Sequence, residues 1–346
     1  MCKCSFFIVP SRPDGSKRRK LFSPVETVTS STSERELCLK LRDVLPTNSC
    51  ISAVFDREPK FEDVVVDGAA EVPCGEHLVC SSQLESANIL LRLGGAAKSK
   101  EDLISKLPKL TPVEVNQIET VTIGQSSNEE WRRQRHGRIT ASNFYSVYTR
   151  VNTIKSAPSK VHNVDPILKK IMGYDDISSL EHVPALKHGR AYEPIARERY
   201  VHLMERKHQG FKYRECGLFV DGERPYLGAS PDLIVSCDCC GQGLAEFKCP
   251  YSTAQEIPSA DNLNYLIKEK DGSTTLRQEH AYYAQVQGQL ALCRRNYFDF
   301  YVYTHAGQFL QRIEYDEGYW SRLSDNLEYF FLNFLADELV SSKTAT

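Results

Sequence analysis

Apolar residues change their spacing several times along the chain, and each change marks an expected element. Over residues 193–207, Ile195, Ala196, Tyr200, Leu203 and Met204 recur at helical spacing, with Pro194 tolerable in a first turn where its missing N–H costs little. Glu193 is therefore expected where a helix begins. Short strand-like runs follow at 217–220, 226–229, 233–236 and 244–248, punctuated by Gly222, Pro225, Pro231 and a Gly241-Gln242-Gly243 turn. A helix is expected over 276–295, with Tyr282, Val286, Leu290 and Cys293 along one face and Gln278, Gln285 and Gln289 along a neighbouring polar one. Strict alternation over 297–303 predicts a further strand. The expected class is α/β, built on a hairpin-rich sheet.

Upstream of about residue 128 the patterning thins. Helix-like stretches stand at 33–45 and 83–93, with a third at 100–107 ended by Pro108. Ser/Thr clusters such as 27–33 and few long periodic segments predict partial disorder. Pro108 and Pro112, then the stretch from Gly124 to Asn128, read as a connector, and Trp131 opens a denser chain running to about Leu339. The expected division is an accessory region of unknown fold at 1–125, a main domain at 126–340 and a tail at 341–346. No internal repeat is present, and 346 residues suffice for one large domain with an extension or for two ordinary ones.

With 41% hydrophobic and 25% charged residues, whole-chain disorder, collagen and a coiled-coil rod are excluded. The formal net charge of −2 excludes a uniformly basic polyanion binder but allows a concentrated patch. One such stretch is 131–150, which holds Arg132, Arg133, Arg135, Arg138 and Arg150, no Asp or Glu, and several aromatic residues. No run approaches 18 consecutive apolar residues, and the short run Phe6 to Val9 lacks the flanks of a secretory signal, so neither secretion nor membrane insertion is expected. The 12 cysteines are too dispersed for a small stapled scaffold and read as reduced thiols, which favours an intracellular protein of cytoplasm or nucleus. Lys17-Arg18-Arg19-Lys20 could be a solvated charge run or a nuclear localisation signal, and on that account the nucleus is favoured.

The densest chemical signal is Ser230-Pro231-Asp232 followed, across a hairpin turn, by Glu246-Phe247-Lys248. Two carboxylates on adjacent strands can converge on one hard cation such as Mg²⁺, which prefers oxygen ligands. The strand period of two puts Glu246 and Lys248 on the same face, so an ammonium can sit beside that ion and hold or deprotonate an attacking water. Such an arrangement suits phosphodiester hydrolysis. An E-x-K triplet alone occurs often by chance, and these groups could equally be ordinary turn and surface residues; the upstream Pro-Asp and the short hairpin sharpen the signal.

Across residues 126–335 the sequence resembles the phage lambda exonuclease and YqaJ viral recombinase family, within the PD-(D/E)xK nuclease superfamily. Trp131, Arg135, Gly137 and Ile139-Thr140-Ala141-Ser142 are similar to its opening motif, and Gly189 to Glu193 to its G-x-x-x-E helix entry. Gly228-Ala229-Ser230-Pro231-Asp232 and Glu246-Phe247-Lys248-Cys249-Pro250 resemble its two metal motifs, and Tyr282-Tyr283-Ala284-Gln285-Val286-Gln287 its Y-x-A-Q-V-Q helix. The resemblance implies a restriction-endonuclease-like central mixed sheet flanked by helices, here with an N-terminal extension. It implies metal binding by Asp232, Glu246, the Phe247 carbonyl and Glu193, water activation by Lys248, and completion of the catalytic set by Gln285. Arg135, Ser142 and Ser230 would contact a terminal 5′-phosphate, with Arg132, Arg133 or Arg138 as further candidates, since a guanidinium fork and hydroxyls suit that anion. A second phosphate-binding arginine of the family falls here near Thr253 and Ala254, which are neutral.

The implied activity is Mg²⁺-dependent exonucleolytic hydrolysis of duplex DNA from its ends, 5′ to 3′, of a recombination or DNA-processing type, with Mn²⁺ expected to substitute. A trimer is implied by the resemblance alone. A non-cutting DNA-end-binding adaptor and an endonuclease of the same superfamily are the alternatives. Elsewhere, Cys216 with Cys237-Asp238-Cys239-Cys240 could hold zinc or an iron–sulfur cluster. C-x-C-C lacks the usual C-x-x-C loop, however, and plain turn thiols are expected. Cys74 and Cys80 around His77 make a second, weaker zinc candidate.

Overall fold

The computed structural model describes residues 88–174 and 183–342. The expected helix at 33–45, the start of that at 83–93, the basic run 17–20 and the Cys74, His77 and Cys80 group lie outside them.

Three short helices open the described chain. Asn88 caps α1 (Ile89–Ala96) and Ser99 caps α2 (Lys100–Ser105). Thr111 and Glu114 form a reciprocal capping box on α3 (Pro112–Val121), with Pro112 in its first turn, where no N–H is needed. Leu90 and Leu103 are fully buried and belong to the main hydrophobic core. The boundary expected near residue 125 therefore separates no two cores among the described residues. The Gly/Ser/Asn stretch there is a tight turn rather than a linker: Gly124 is left-handed at φ 93°, and the Asn128 amide donates to the carbonyls of Val121 and Ile123. That turn leads into α4 (Glu129–Arg135).

The basic segment then divides. After α4 come β1 (Ile139–Thr140), α5 (Phe144–Ser156) and α6 (Asp165–Met172). The following helix, α7, runs from Pro184 to Lys207. It starts well before Glu193, which therefore lies inside the helix, and Pro194 is an interior proline rather than a first-turn one. The early turns were illegible because they bury no apolar stripe: Pro184 to Lys187 are exposed.

The central sheet has the order β10-β9-β6-β5-β2. It comprises β2 (Lys212–Glu215), β5 (Leu233–Cys237), β6 (Gly241–Lys248), β9 (Tyr297–Tyr303) and β10 (Gln308–Glu314). All neighbours are antiparallel except β6 and β9, which run parallel. A parallel pair needs a long crossover. It is supplied by residues 249–296, carrying the hairpin β7 (Leu266–Lys268) and β8 (Thr274–Leu276) and the helix α8 (Ala281–Cys293). A smaller sheet joins β1 to β4 (Leu227–Ala229) and β3 (Phe219–Val220). The chain closes with α9 (Glu317–Phe330), a π-helical turn and α10 (Ala336–Ser341). This is the central mixed sheet flanked by helices that the resemblance implied.

Strand β6 is covered on both faces. Leu244 packs with Phe298, Phe300 and the α8 residues Ala284 and Leu290, while Ala245 and Phe247 pack with Ala196 and Tyr200 of α7. Period-two alternation therefore aims Glu246 and Lys248 towards the face that carries α8.

Candidate active site

The β5–β6 ladder begins where Leu233 pairs with Ala245, and on the β5 side it has no partner strand for the last residues of β6. Asp232, immediately before β5, fills the gap: its Oδ2 accepts the Phe247 N–H at 2.8 Å. The N–H and C=O of one strand residue point to the same edge. The Phe247 carbonyl is therefore directed to the side where Asp232 sits, as a metal-ligating carbonyl requires.

Glu246 is buried and fully engaged. Its Oε1 accepts from the Lys248 ammonium at 2.7 Å and from Gln285 Nε2 at 2.6 Å, while its Oε2 accepts from Gln289 Nε2 at 2.9 Å. The Lys248 ammonium also lies 4.5 Å from the centre of the Tyr282 ring. Gln289 donates in addition to the Ser230 carbonyl at 3.3 Å and keeps a buried Oε1 without a hydrogen-bond partner. The two glutamines are one helical turn apart on α8, whereas Gln287 faces away and bonds the Glu314 carbonyl at 2.9 Å. Glu193, on α7, is half-buried and bonded by Arg197 at 3.2 Å.

The electrostatics describe a site with surplus negative charge. Burial, then the like charges of Glu246 and Glu193, hold the Asp232 carboxyl well above its usual value, against the opposing pull of Lys248 and the Phe247 N–H. For Lys248 burial works against the ammonium, but Glu246, Tyr282 and Asp232 outweigh it and raise its pKa. A buried carboxyl crowded by like charges is the setting that a hard divalent cation relieves. Asp232, Glu246 and the strand carbonyl are all oxygen donors and suit Mg²⁺, while Glu193 lies within electrostatic reach of Asp232 and is bonded to Arg197.

Next to the carboxylates lies a cationic pocket. The Arg135 guanidinium stacks 4.1 Å from the Trp131 ring centre and donates to Ser142 Oγ at 3.4 Å, and the Trp131 indole donates to Ser230 Oγ at 2.9 Å. Arg135, Ser142 and Ser230 thus gather around one tryptophan, and Ser230 joins this pocket to Gln289. Gly137, left-handed at φ 71°, permits the reversal from α4 into β1 that brings Ser142 back to Arg135. Burial lowers the Arg135 pKa to about 10. Arg138 must be withdrawn as a phosphate contact. It is 1% exposed, with its guanidinium spent on the carbonyls of Gln134 and Pro225 and on the Gln134 side chain. Arg133 pairs with Glu130 and Arg132 bonds the Ser126 carbonyl, which leaves Arg135 as the cation of the pocket. Thr253, where the second arginine was sought, is buried.

Residues 130–296 match the profile of the YqaJ-like viral recombinase domain. That segment of the chain is similar to the YqaJ-like viral recombinase domain. All the site residues above, from Trp131 to Gln289, fall inside the matched stretch, whereas α1 to α3 and the elements from β9 onward lie outside it. Among solved structures, an alkaline exonuclease from Laribacter hongkongensis is 24% identical over 63% of this chain and 97% of its own, with a TM-score of 0.41. Its complex with dAMP gives 26% identity over the same shares and a TM-score of 0.45. The shutoff and exonuclease protein of Kaposi's sarcoma-associated herpesvirus is 12% identical over 70% and 77%, with a TM-score of 0.42. No curated protein gives a significant match. Sequence reasoning did not assign Gln289 to the site, although its four-residue spacing from Gln285 carried the signal. No helix among the described residues is long and apolar enough to cross a membrane.

Proposed function

We propose that this protein is a Mg²⁺-dependent deoxyribonuclease of the YqaJ type that hydrolyses duplex DNA from an end, 5′ to 3′, releasing nucleotides that carry 5′-phosphates. The observation that carries this reading is the meeting of Asp232, Glu246, Lys248 and Gln285 at the opened end of the β5–β6 ladder. Asp232, Glu246, the Phe247 carbonyl and Glu193 would hold the metal, with Mn²⁺ as a substitute. Bound there, the ion would place positive charge on a phosphoryl oxygen and acidify a water. Gln285 and Gln289 fix both oxygens of Glu246, so the carboxylate keeps one orientation. Lys248, anchored between Glu246 and Tyr282, would hold the attacking water by its ammonium. Arg135, Ser142 and Ser230 would receive a terminal phosphate, which favours a free end over an internal bond.

The test incubates linear duplex, covalently closed circular duplex and single-stranded DNA with the protein in Mg²⁺ or in EDTA, beside Lys248→Ala. The expected result is digestion of linear duplex in Mg²⁺ only, an untouched closed circle, and a Lys248→Ala protein that binds ends without cutting. Cutting of the closed circle would make the protein an endonuclease. Binding by the wild type without hydrolysis in Mg²⁺ would make it an end-binding adaptor.

A further inference from the structure

At the far tip of the β5–β6 hairpin stands a second group of potential ligands that the nuclease reading does not use. Cys237 ends β5, Cys239 and Cys240 form the turn, and His208 caps the C-terminus of α7. Their ligand atoms all lie within 4.8 Å of one another. His208 Nδ1 is 3.1 Å from Cys239 Sγ, 3.6 Å from Cys237 Sγ and 3.5 Å from Cys240 Sγ. The Cys237–Cys239 and Cys239–Cys240 sulfur separations are 3.5 and 3.6 Å. Cys216, the thiol that sequence proximity suggested, is elsewhere, buried and bonded to the Pro231 carbonyl at 2.9 Å.

We propose that His208, Cys237, Cys239 and Cys240 bind one structural Zn²⁺ that pins the hairpin to the end of α7. Tetrahedral zinc with Zn–S near 2.3 Å and Zn–N near 2.05 Å separates its ligands by about 3.8 Å between sulfurs and about 3.6 Å between sulfur and nitrogen. Five of the six edges, at 3.1–3.6 Å, lie at or below those values and the sixth, between Cys237 and Cys240, lies within 4.8 Å, so the four atoms can close on a single ion with small side-chain adjustments; a multi-iron cluster would hold its ligand sulfurs farther apart. The usual objection to neighbouring cysteines as ligands is met by the backbone. Residues 238–240 form a turn and Gly241 follows in the left-handed conformation at φ 72°, so the chain reverses directly after Cys240. The Asp238 N–H also bonds the Gln209 carbonyl at 3.0 Å, which docks the turn on the segment following His208.

The surroundings match the charge of the set. Three thiolates and a neutral imidazole leave a zinc centre one charge negative. The Arg312 guanidinium, held by Asp299 at 2.8 and 2.9 Å, supplies a positive charge beside Cys240. Four protein ligands leave no open position for water, which makes the site structural rather than catalytic. Soft thiolates also separate it chemically from the oxygen ligands at the other end of β6. The consequence is mechanical: α7 carries Glu193, and β5 and β6 carry the flanks of Asp232 and Glu246, so a tether at the hairpin tip fixes the relative position of all three.

The full chain, purified without an affinity tag and dialysed into Mg²⁺ buffer, is analysed for metal. One zinc per chain is expected. Replacement by Co²⁺ should give thiolate-to-cobalt charge transfer and the d–d bands of a tetrahedral S₃N site. The double variant Cys237→Ser/Cys239→Ser should lose both, and His208→Cys should keep the metal while its cobalt bands move towards those of an S₄ site. Should the double variant not fold, alkylation of the native wild type decides: three thiols should be protected until a chelator exposes them. A wild type without zinc, zinc content unchanged in the double variant, iron with acid-labile sulfide, or chelator-independent alkylation would each overturn the assignment.

Discussion

Gly288 sits between the two site-facing turns of α8 and allows that helix to lie against α5. A β-carbon there would stand 2.3 Å from Cε2 and 2.4 Å from Cδ2 of Phe144. Ordinary carbon contacts lie at about 3.5–4.0 Å, so the ring or the helix must move by about 1 Å. Phe144 cannot yield easily: it is fully buried and its ring packs 6.0 Å from that of Trp320. Overpacking costs about 1–3 kcal/mol, and the rigidity of Phe144 places Gly288→Ala near the upper end. Against that stands about 1 kcal/mol of gained helix propensity. A net loss of about 2 kcal/mol is expected, or about 4–8 °C in Tm for a domain of this size. The same shift of α8 carries Gln285 and Gln289 off Glu246, now at 2.6 and 2.9 Å. A displacement of about 1 Å at a site can cost about 100-fold in rate, so nuclease activity should fall by far more than the fraction unfolded at the assay temperature. Thermal melts and initial rates on linear duplex are measured beside Gly95→Ala, whose β-carbon meets nothing within 4 Å. The control should be neutral or slightly stabilised and fully active. A Gly288→Ala protein with an equal or higher Tm and a rate within about threefold of wild type would refute the reasoning, leaving helix propensity as the only effect.

In EDTA, Asp232→Asn should be at least as stable as wild type at neutral pH, because it removes the cost of charging or protonating a buried carboxyl set among like charges while an amide oxygen still accepts the Phe247 N–H. The sign follows from linkage: with its pKa raised on folding, native Asp232 keeps a proton that the unfolded chain has lost, so wild-type stability declines as pH rises from the ordinary carboxylate range through the raised value. Urea titrations over pH should show that decline flattened in the variant, and added Mg²⁺ should stabilise wild type alone; equal Mg²⁺ shifts in both would remove Asp232 from the metal site. Arg135→Ala should slow digestion of 5′-phosphorylated ends far more than of 5′-hydroxyl ends, measured as a ratio of initial rates. Equal losses, with a salt dependence flattened by roughly one phosphate contact, would reassign Arg135 to general backbone grip.

The sequence by itself determined the fold class, because periodicity records which side of each element is buried. Strand β9 runs from Tyr297 to Tyr303 as the alternation predicted, and the β3 to β6 run was legible from short apolar stretches between turn residues. Motif order brought out Asp232, Glu246, Lys248 and Gln285, and the structure gathers them at one strand end. Exposed segments leave no such record, so the early turns of α7 and the four-residue strand β2, exposed along its whole length, were missed.

Only the tertiary structure decided which residues meet across long separations. Arg138 looked like its neighbours in a basic run until the Pro225 carbonyl, far along the chain, closed over it. His208 had no reason to be grouped with the Cys237-Asp238-Cys239-Cys240 turn until the end of α7 arrived beside it, and Gln289 joined the site only because α8 crosses the β6 face. A side chain's local pattern fixes the direction in which it points. What waits there is set by the packing of elements that the local pattern does not encode.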